Sequence, residues 1–134
     1  MARAVTRPSR GPKLIGVGVD AVDVERFRQV LARRPQMAER IFTDQERSFL
    51  SDRVDPVPGL AARFAAKEAT MKALGTGLGG VRFAEVEVVS GASGAPHLEV
   101  SGLAALRADA LGVRTWHVSL THTDSVAAAV VVAD

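Results

Sequence analysis

Alternation of apolar residues with polar or small residues predicts five β-strands along the chain. In the first, residues 14–20, Ile15 and Val17 fall on one face with Val19, whereas Gly16, Gly18 and Asp20 fall on the other. The other four strands are predicted at residues 83–89, 97–101, 115–121 and 126–133. Turn-forming residues at 90–96 and 123–125 predict that these four strands make two hairpins.

Apolar residues at helical spacing predict four helices, at residues 22–34, 44–51, 61–74 and 103–111. Thr43 and Glu46 have the spacing of a capping box at the start of the second helix. Gly75 and Gly112 lie where left-handed C-terminal caps would end the last two helices.

The third predicted helix places two charged side chains beside its buried face. At about 100° per residue, Leu60, Phe64 and Met71 form one apolar stripe, and Glu68 and Lys72 lie on its shoulder. A carboxylate and an amine there, just before a glycine-rich turn, suit a polyphosphate and its divalent ion. The alternative from spacing alone is an ordinary helical Glu–Lys pair.

The order of the elements predicts an α+β fold in a single domain, with antiparallel strands in hairpins packed against helices. The chain has 134 residues, 47% of them hydrophobic, which is enough for one core. Its apolar runs are shorter than a membrane span. The absence of cysteine is compatible with a reducing cytoplasm, where we expect the protein to reside.

Positive charge is concentrated at the start of the chain. The formal net charge is +2, but Arg3, Arg7, Arg10 and Lys13 lie in the first 13 residues, so the rest carries a net −2. We expect residues 1–13 to form a basic disordered tail before a folded domain at 14–134. Nucleic-acid binding by the tail is the alternative, but few aromatic residues are present to stack on bases. We therefore expect neither a nucleic-acid nor a membrane partner.

Asp20 and the glycine pattern at 75–80 each permit more than one functional interpretation. Asp20 projects from the glycine-bearing face of the first strand, and it also stands where it could cap the next helix, so both interpretations stay open. The glycine pattern at 75–80 matches a dinucleotide-binding loop by letter. That motif requires a strand before it and a helix after it, whereas the predicted order here is the reverse. The dinucleotide interpretation is therefore rejected.

Three segments, in order, resemble the holo-[acyl-carrier-protein] synthases, the small type of 4'-phosphopantetheinyl transferase. The central segment reads Phe-Ala-Ala-Lys-Glu-Ala at 64–69 and Lys-Ala-Leu-Gly-Thr-Gly at 72–77. The first reads Gly-Val-Gly-Val-Asp at 16–20, and the last reads Val-Ser-Leu-Thr-His-Thr at 118–123. The resemblance covers residues 14–133, nearly the whole chain.

The resemblance implies that the 4'-phosphopantetheine arm of coenzyme A is transferred to a serine of apo acyl carrier protein, releasing adenosine 3',5'-bisphosphate. It also implies the phosphopantetheinyl transferase fold, a cytoplasmic homotrimer with active sites between chains, and a role in fatty acid biosynthesis and lipid metabolism. The sequence leaves open whether the carrier serves fatty-acid or polyketide synthesis. A non-catalytic module that binds coenzyme A is the alternative function.

Individual roles follow from the resemblance. Asp20 and Glu68 match the Mg²⁺ ligands, and Glu68 and Lys72 match catalytic positions, with Glu68 the preferred candidate for the general base. The coenzyme A contacts would be Lys67, Lys72, Gly75, Thr76, Gly77, Ser119, Thr121, His122 and Thr123. The first predicted helix, at residues 22–34, carries arginines around an apolar spot, and such a surface suits an acidic helical partner. The acyl carrier protein would therefore meet Arg26, Val30, Arg33, Arg34, Met37 and Arg40.

Overall fold

The structure, a computed structural model, describes residues 13–75 and 79–134. It confirms the predicted α+β class, with helices packed on antiparallel strands. The helices are α1 (Val24–Arg33), α2 (Met37–Ile41), α3 (Asp44–Leu50), α4 (Val57–Ala73) and α5 (Gly102–Leu111). The strands are β1 (Gly16–Asp23), β2 (Val86–Ser90), β3 (Pro96–Val100), β4 (Trp116–His122) and β5 (Val126–Ala133).

The strands form a three-stranded sheet in the order β1-β5-β4 and a separate β2-β3 hairpin. Strand β5 pairs antiparallel with both neighbours, so that Asp20, Ala129 and Leu120 lie side by side across the sheet. The alternation of β5 buries Ala127, Ala129 and the other residues of that parity on the helix side. Both predicted hairpins are therefore present, with β5 at the centre of the three-stranded sheet and β1 and β4 at its edges.

Helix α4 is buried on nearly all sides, which the predicted stripe did not anticipate. Leu60 and Met71 are buried as expected, but so are the alanines Ala61, Ala62, Ala65, Ala66, Ala69 and Ala73. Alanine on several faces lets strands and helices approach the helix axis closely, so α4 lies at the centre of the domain. The helix also begins earlier than predicted, since Pro58 is accepted in its first turn.

Strand β1 lies directly on the backbone of α4. A Cβ atom on Gly18 would stand 1.7 Å from the carbonyl oxygen of Ala69, and one on Gly16 would stand 1.9 Å from that of Ala73. The glycine face of β1 is thus covered by a helix of the same chain. The valines of the opposite face are exposed, with Val17 at 53% and Val19 at 60%.

The segment after β1 differs from its prediction in two respects. Strand β1 continues to Asp23, so α1 begins at Val24 rather than at residue 22, and α2 is an additional short helix. The capping box at Thr43 and Glu46 is confirmed, with both of its reciprocal hydrogen bonds present. Such short-range signals were readable because they depend on neighbours three residues away.

Within residues 13–75 and 79–134, no helix combines the length and apolar character needed to cross a bilayer. Of the expected basic tail, only Lys13 belongs to the described part of the chain, where it is exposed.

Replacing Gly18 by alanine should destabilise the fold, because the new methyl group would collide with a helix backbone that cannot move independently. We expect a loss of about 2 kcal/mol or more in the free energy of unfolding, measured by urea denaturation. Gly91→Ala is the matched control, since its nearest new contact is at an ordinary 3.5 Å. Equal stability of the two variants would contradict the close packing of β1 on α4.

Candidate active site

Asp20 and Glu68 face a common cleft, which we call the acidic cleft, between β1, α1 and α4. Its volume is about 500 Å³, and both carboxylates are part of its wall. The Lys72 ammonium lies 3.2 Å from Oδ1 of Asp20 and donates to the carbonyl oxygen of Val19 at 3.0 Å. The structure therefore brings together the three residues predicted to hold the metal and carry the chemistry.

Asp20 is free to serve this cleft because another residue caps the next helix. The N-cap of α1 is Asp23, whose Oδ1 accepts the backbone N–H of Arg26 at 2.8 Å. Asp20 shares its strand face with Gly16 and Gly18 and is largely covered, its side chain being 15% exposed. The interpretation of Asp20 as a helix cap is therefore wrong.

The pKa of the Glu68 carboxyl is raised above its ordinary value. Burial is the main cause and the neighbouring charge of Asp20 adds to it, while the Lys72 ammonium acts in the opposite direction. Two carboxylates held together in a partly desolvated cleft repel one another and favour a bound cation. Glu68 is also held in a state from which it can accept a proton more readily than an ordinary glutamate.

The carboxylates of the acidic cleft match a common type of Mg²⁺ site. In the described ranges no group of three or more acidic, histidine or cysteine side chains could hold a metal ion. Of the three acidic residues that line the cleft, Asp23 caps α1, which leaves the carboxylates of Asp20 and Glu68 for a cation. Mg²⁺ is commonly bound by one or two carboxylates, with substrate phosphates and water completing the set. The pair of Asp20 and Glu68 matches that pattern.

Lys67 does not reach the cleft, which corrects its assignment as a coenzyme A contact. Its ammonium is fully buried, lies 2.8 Å from Oε1 of Glu46, and donates to the carbonyl oxygens of Phe83 and Val86. Glu46 in turn accepts the backbone N–H groups of Thr43 and Val88. Burial lowers the pKa of Lys67, and the Glu46 charge opposes this. Lys67 thus supports the core from a different face of α4, about 100° around the helix axis from Glu68.

The side of the acidic cleft that faces α1 and α2 is apolar and bordered by arginine. Val30 and Met37, both half-buried, line it together with Arg26. The other predicted partner residues, Arg33, Arg34 and Arg40, are exposed. In the described parts of the chain no ion pair joins these four arginines to an acidic side chain, whereas the nearby Arg28 is paired with Asp55 and Glu25.

The residues of the late motif lie apart from the acidic cleft. Ser119 and Thr121 are exposed on the sheet face opposite α4, beside Val130 and Ala128. Strands β1 and β4 flank β5, so this motif lies about 10 Å from β1 across the sheet. His122 ends β4, and Thr123 opens the following turn, where its hydroxyl accepts the N–H of Val126. One chain alone does not bring these residues to the carboxylates.

A second concavity, the Arg63 cavity, contains His122 and a residue that the sequence did not single out. It has a volume of about 250 Å³, and Arg63, Arg53, Thr121 and His122 line it. Arg63 is buried, and its Nε has no hydrogen-bond partner within the described residues. Burial lowers the pKa of its guanidinium, the Glu46 charge opposes this effect, and the Arg53 charge adds to it. A buried and incompletely satisfied guanidinium is suited to an anion.

The glycine turn after α4 is described only at its ends. Gly75 has a φ of 68°, which confirms the predicted left-handed cap. Thr76 and Gly77, expected to contact coenzyme A, lie outside the described residues.

Comparison with known proteins gives a consistent result. Residues 16–131 match the family model described as the 4'-phosphopantetheinyl transferase superfamily. A holo-[acyl-carrier-protein] synthase from Streptomyces griseus subsp. griseus is 50% identical over 121 residues, covering 90% of this chain and 98% of that protein. The crystal structure of holo-[acyl-carrier-protein] synthase from Neisseria meningitidis has a TM-score of 0.82 at 33% identity, covering 91% and 99% of the two chains.

A further solved structure contains a ligand. The holo-(acyl-carrier-protein) synthase from Bacillus anthracis, in complex with CoA (3',5'-ADP), has a TM-score of 0.74 at 32% identity, covering 90% of this chain and 96% of that one. The predicted fold family is confirmed by these similarities.

Lys67→Met should destabilise folding, because it leaves the buried Glu46 carboxylate without its partner. The expected loss is about 3–5 kcal/mol in the free energy of unfolding, measured by urea denaturation. Adding Glu46→Gln should recover part of that loss in a double-mutant cycle. Additive losses would contradict a direct interaction between the two side chains.

Proposed function

The chain belongs to the 4'-phosphopantetheinyl transferase superfamily, and on this premise we propose that it transfers the 4'-phosphopantetheine arm of coenzyme A to a serine of apo acyl carrier protein. The observation that carries the proposal is that Asp20 and Glu68 line one cleft and Lys72 pairs with Asp20, in a fold shared with synthases of known structure. The products are holo carrier and adenosine 3',5'-bisphosphate.

The reaction exchanges a phosphoanhydride bond of coenzyme A for a phosphoester bond to the carrier. The serine Oγ of the carrier forms a bond to the phosphorus that bears the pantetheine arm, and the bond from that phosphorus to the pyrophosphate bridging oxygen breaks. The bridging oxygen leaves with the nucleotide. The serine gives up its proton, while negative charge accumulates on the leaving oxygen, so the site needs a proton acceptor and fixed positive charge.

Asp20 and Glu68 would hold Mg²⁺ together with oxygens of the substrate phosphates and water. When bound, the ion supplies positive charge that stabilises the developing phosphate charge. This assignment is supported by the raised pKa of Glu68, which reflects burial and its acidic neighbour and is relieved by a nearby cation.

Lys72 and Glu68 have distinct roles in the proposal. Lys72 lies in the last turn of α4 with its ammonium 3.2 Å from Oδ1 of Asp20, and it would neutralise the pyrophosphate as charge builds up. Glu68 would accept the serine proton, directly or through a water molecule, because burial raises the pKa of its carboxyl above the ordinary value and makes it a better proton acceptor than an ordinary glutamate. Gly75, with Thr76 and Gly77, would pass close to the phosphates.

The nucleotide end of coenzyme A would occupy the Arg63 cavity of a neighbouring chain. Arg63 offers the anion site, and Thr121 and His122 line the same cavity. Ser119 and Thr123, which lie next to these two residues along β4 and its turn, would complete the contact. Since one chain keeps this cavity apart from its own acidic cleft, we propose a homotrimer with each active site between two chains. The exposed valines of the main sheet, Val17, Val19 and Val130, supply an apolar face for such contact.

The carrier would dock on the unpaired arginines of α1 and α2, with Val30 and Met37 beneath it. We also propose that residues 14–134 act as one domain and that the protein works in the cytoplasm on soluble substrates.

Incubation with apo acyl carrier protein, coenzyme A and Mg²⁺ should add one phosphopantetheine mass to the carrier, measured by intact-protein mass spectrometry. Glu68→Gln should lower the transfer rate by at least about 100-fold, because it removes a metal ligand and the proton acceptor together. It should also abolish the Mg²⁺-dependent increase in melting temperature.

Folding of the Glu68→Gln variant provides the control. A glutamate whose pKa is raised in the folded state favours folding below its unfolded pKa, and this contribution is lost as pH rises through the folded pKa. Without metal, the variant should therefore be at least as stable as the wild type at neutral pH. A folded variant with a near-normal rate would remove Glu68 from the site, and coenzyme A binding without transfer to any carrier would overturn the activity.

Subunit mixing tests the shared active site. Asp20→Asn disables the acidic cleft and Arg63→Gln disables the nucleotide cavity, so each pure variant should be nearly inactive. Trimers reassembled from equal amounts should recover about one quarter of wild-type activity, since random assembly pairs intact halves at that frequency. A mixture of Asp20→Asn and Glu68→Gln subunits should recover nothing, because both defects fall in the same cleft. Activity of the first mixture equal to its parents would contradict an active site between chains.

A further inference from the structure

The segment before β2 carries an arginine that the predicted docking surface did not include. Arg82 is exposed and lines a separate cavity of about 470 Å³, the Arg82 cavity, together with Arg40 of α2. Phe83 and Ala84 form its apolar part, and Glu39 is the one acidic side chain on its wall. Two arginines against one glutamate leave the cavity with a net positive charge.

The Arg82 cavity continues the apolar floor of the acidic cleft. Phe27 and Phe64 line the cleft and stack with ring centroids 5.2 Å apart, and Phe64 in turn lies 5.4 Å from Phe83 of the Arg82 cavity. One row of three aromatic rings therefore passes beneath both concavities. Arginines border the row at each end, Arg26 at the cleft and Arg40 with Arg82 beyond it.

Arg82 is held on a fixed backbone. Its carbonyl oxygen accepts the N–H of Glu85 at 3.0 Å, and the next carbonyl, that of Phe83, accepts the buried Lys67 ammonium at 3.1 Å. These hydrogen bonds to neighbouring and core residues, rather than contacts of its own side chain, therefore set the position of the Arg82 backbone. In the described ranges neither Arg40 nor Arg82 forms an ion pair, so both charges are available to an outside partner.

We propose that the Arg82 cavity is a second contact for the acyl carrier protein, in which Arg82 and Arg40 bind acidic side chains on the carrier while Phe83 packs beneath. This inference rests on the proposed function. The occupant is a protein surface rather than a phosphate because the charges lie at the rim of an apolar floor that is continuous with the cleft where the carrier serine must arrive. Contacts on α1 together with contacts at the Arg82 cavity would fix the orientation of the carrier. Contacts on α1 alone would hold the carrier along only one edge of its surface.

The test measures carrier binding apart from turnover. Fluorescently labelled apo carrier is titrated with the full-length chain, without coenzyme A, and the dissociation constant is read from anisotropy. Arg82→Glu should weaken binding by about tenfold or more, and Arg82→Lys should stay within about threefold of wild type. Arg114→Glu, the same charge reversal before β4 at the opposite end of the sheet from Asp20, should leave the affinity unchanged.

Steady-state kinetics complete the test. Arg82→Glu should raise KM for the carrier, with kcat and KM for coenzyme A within about twofold of wild type. An unchanged carrier affinity would overturn the inference, and so would a rise in KM for coenzyme A alone, which would assign the cavity to its phosphates. If the wild type bound carrier through Arg82 without transferring phosphopantetheine, the docking site would stand while the proposed function failed.

Discussion

The contact between strand β1 and helix α4 determines whether an active centre exists at all. Gly16 and Gly18 allow the strand to lie on the helix carbonyls, at distances where any side chain would collide with Ala69 or Ala73. Asp20, two residues beyond Gly18 on the same face, is then carried to the cleft that Glu68 lines. Two carboxylates distant in sequence meet because the strand has no side chains at the points where it crosses the helix.

Helix α4 has to satisfy opposite requirements on two of its sides. Lys67 points into the core, where Glu46 and two carbonyl oxygens compensate its charge. Glu68, the next residue, faces a cleft in which its own charge is left partly uncompensated and its pKa is raised. A fully paired buried ion stabilises a single arrangement of α3, α4 and β2, whereas an incompletely paired one attracts a ligand. Within α4, Lys67 therefore stabilises the fold, and the adjacent Glu68 provides a carboxylate that attracts a ligand.

Sequence patterns predicted those features that depend on neighbours close along the chain. The capping box at Thr43, the hairpins and the left-handed Gly75 were all readable, because three or four residues determine each of them. The burial of Lys67 was not readable, since its partner lies on a different helix and its sequence neighbour is a site residue. Nor was Arg63 found, because its cavity is assembled from α3, α4, β4 and the β2-β3 turn.

The separation of the Arg63 cavity from the acidic cleft has a consequence for how the proposed reaction would be organised. In a single chain, the acidic cleft has carboxylates but no nucleotide anchor beside them. The Arg63 cavity has an anion site but none of the proposed catalytic residues. If contact through the exposed valines of the main sheet closes that gap, coenzyme A is aligned only in the assembled protein, and the carrier approaches from the remaining open side, over the arginines of α1 and α2. Substrates would then enter from two directions, so that the nucleotide product and the holo carrier need not leave by the same path. In such an assembly, activity would depend on chain association as directly as on the two carboxylates, because the proposed contact through the sheet face would also set the distance between the phosphate anchor and the reacting phosphorus.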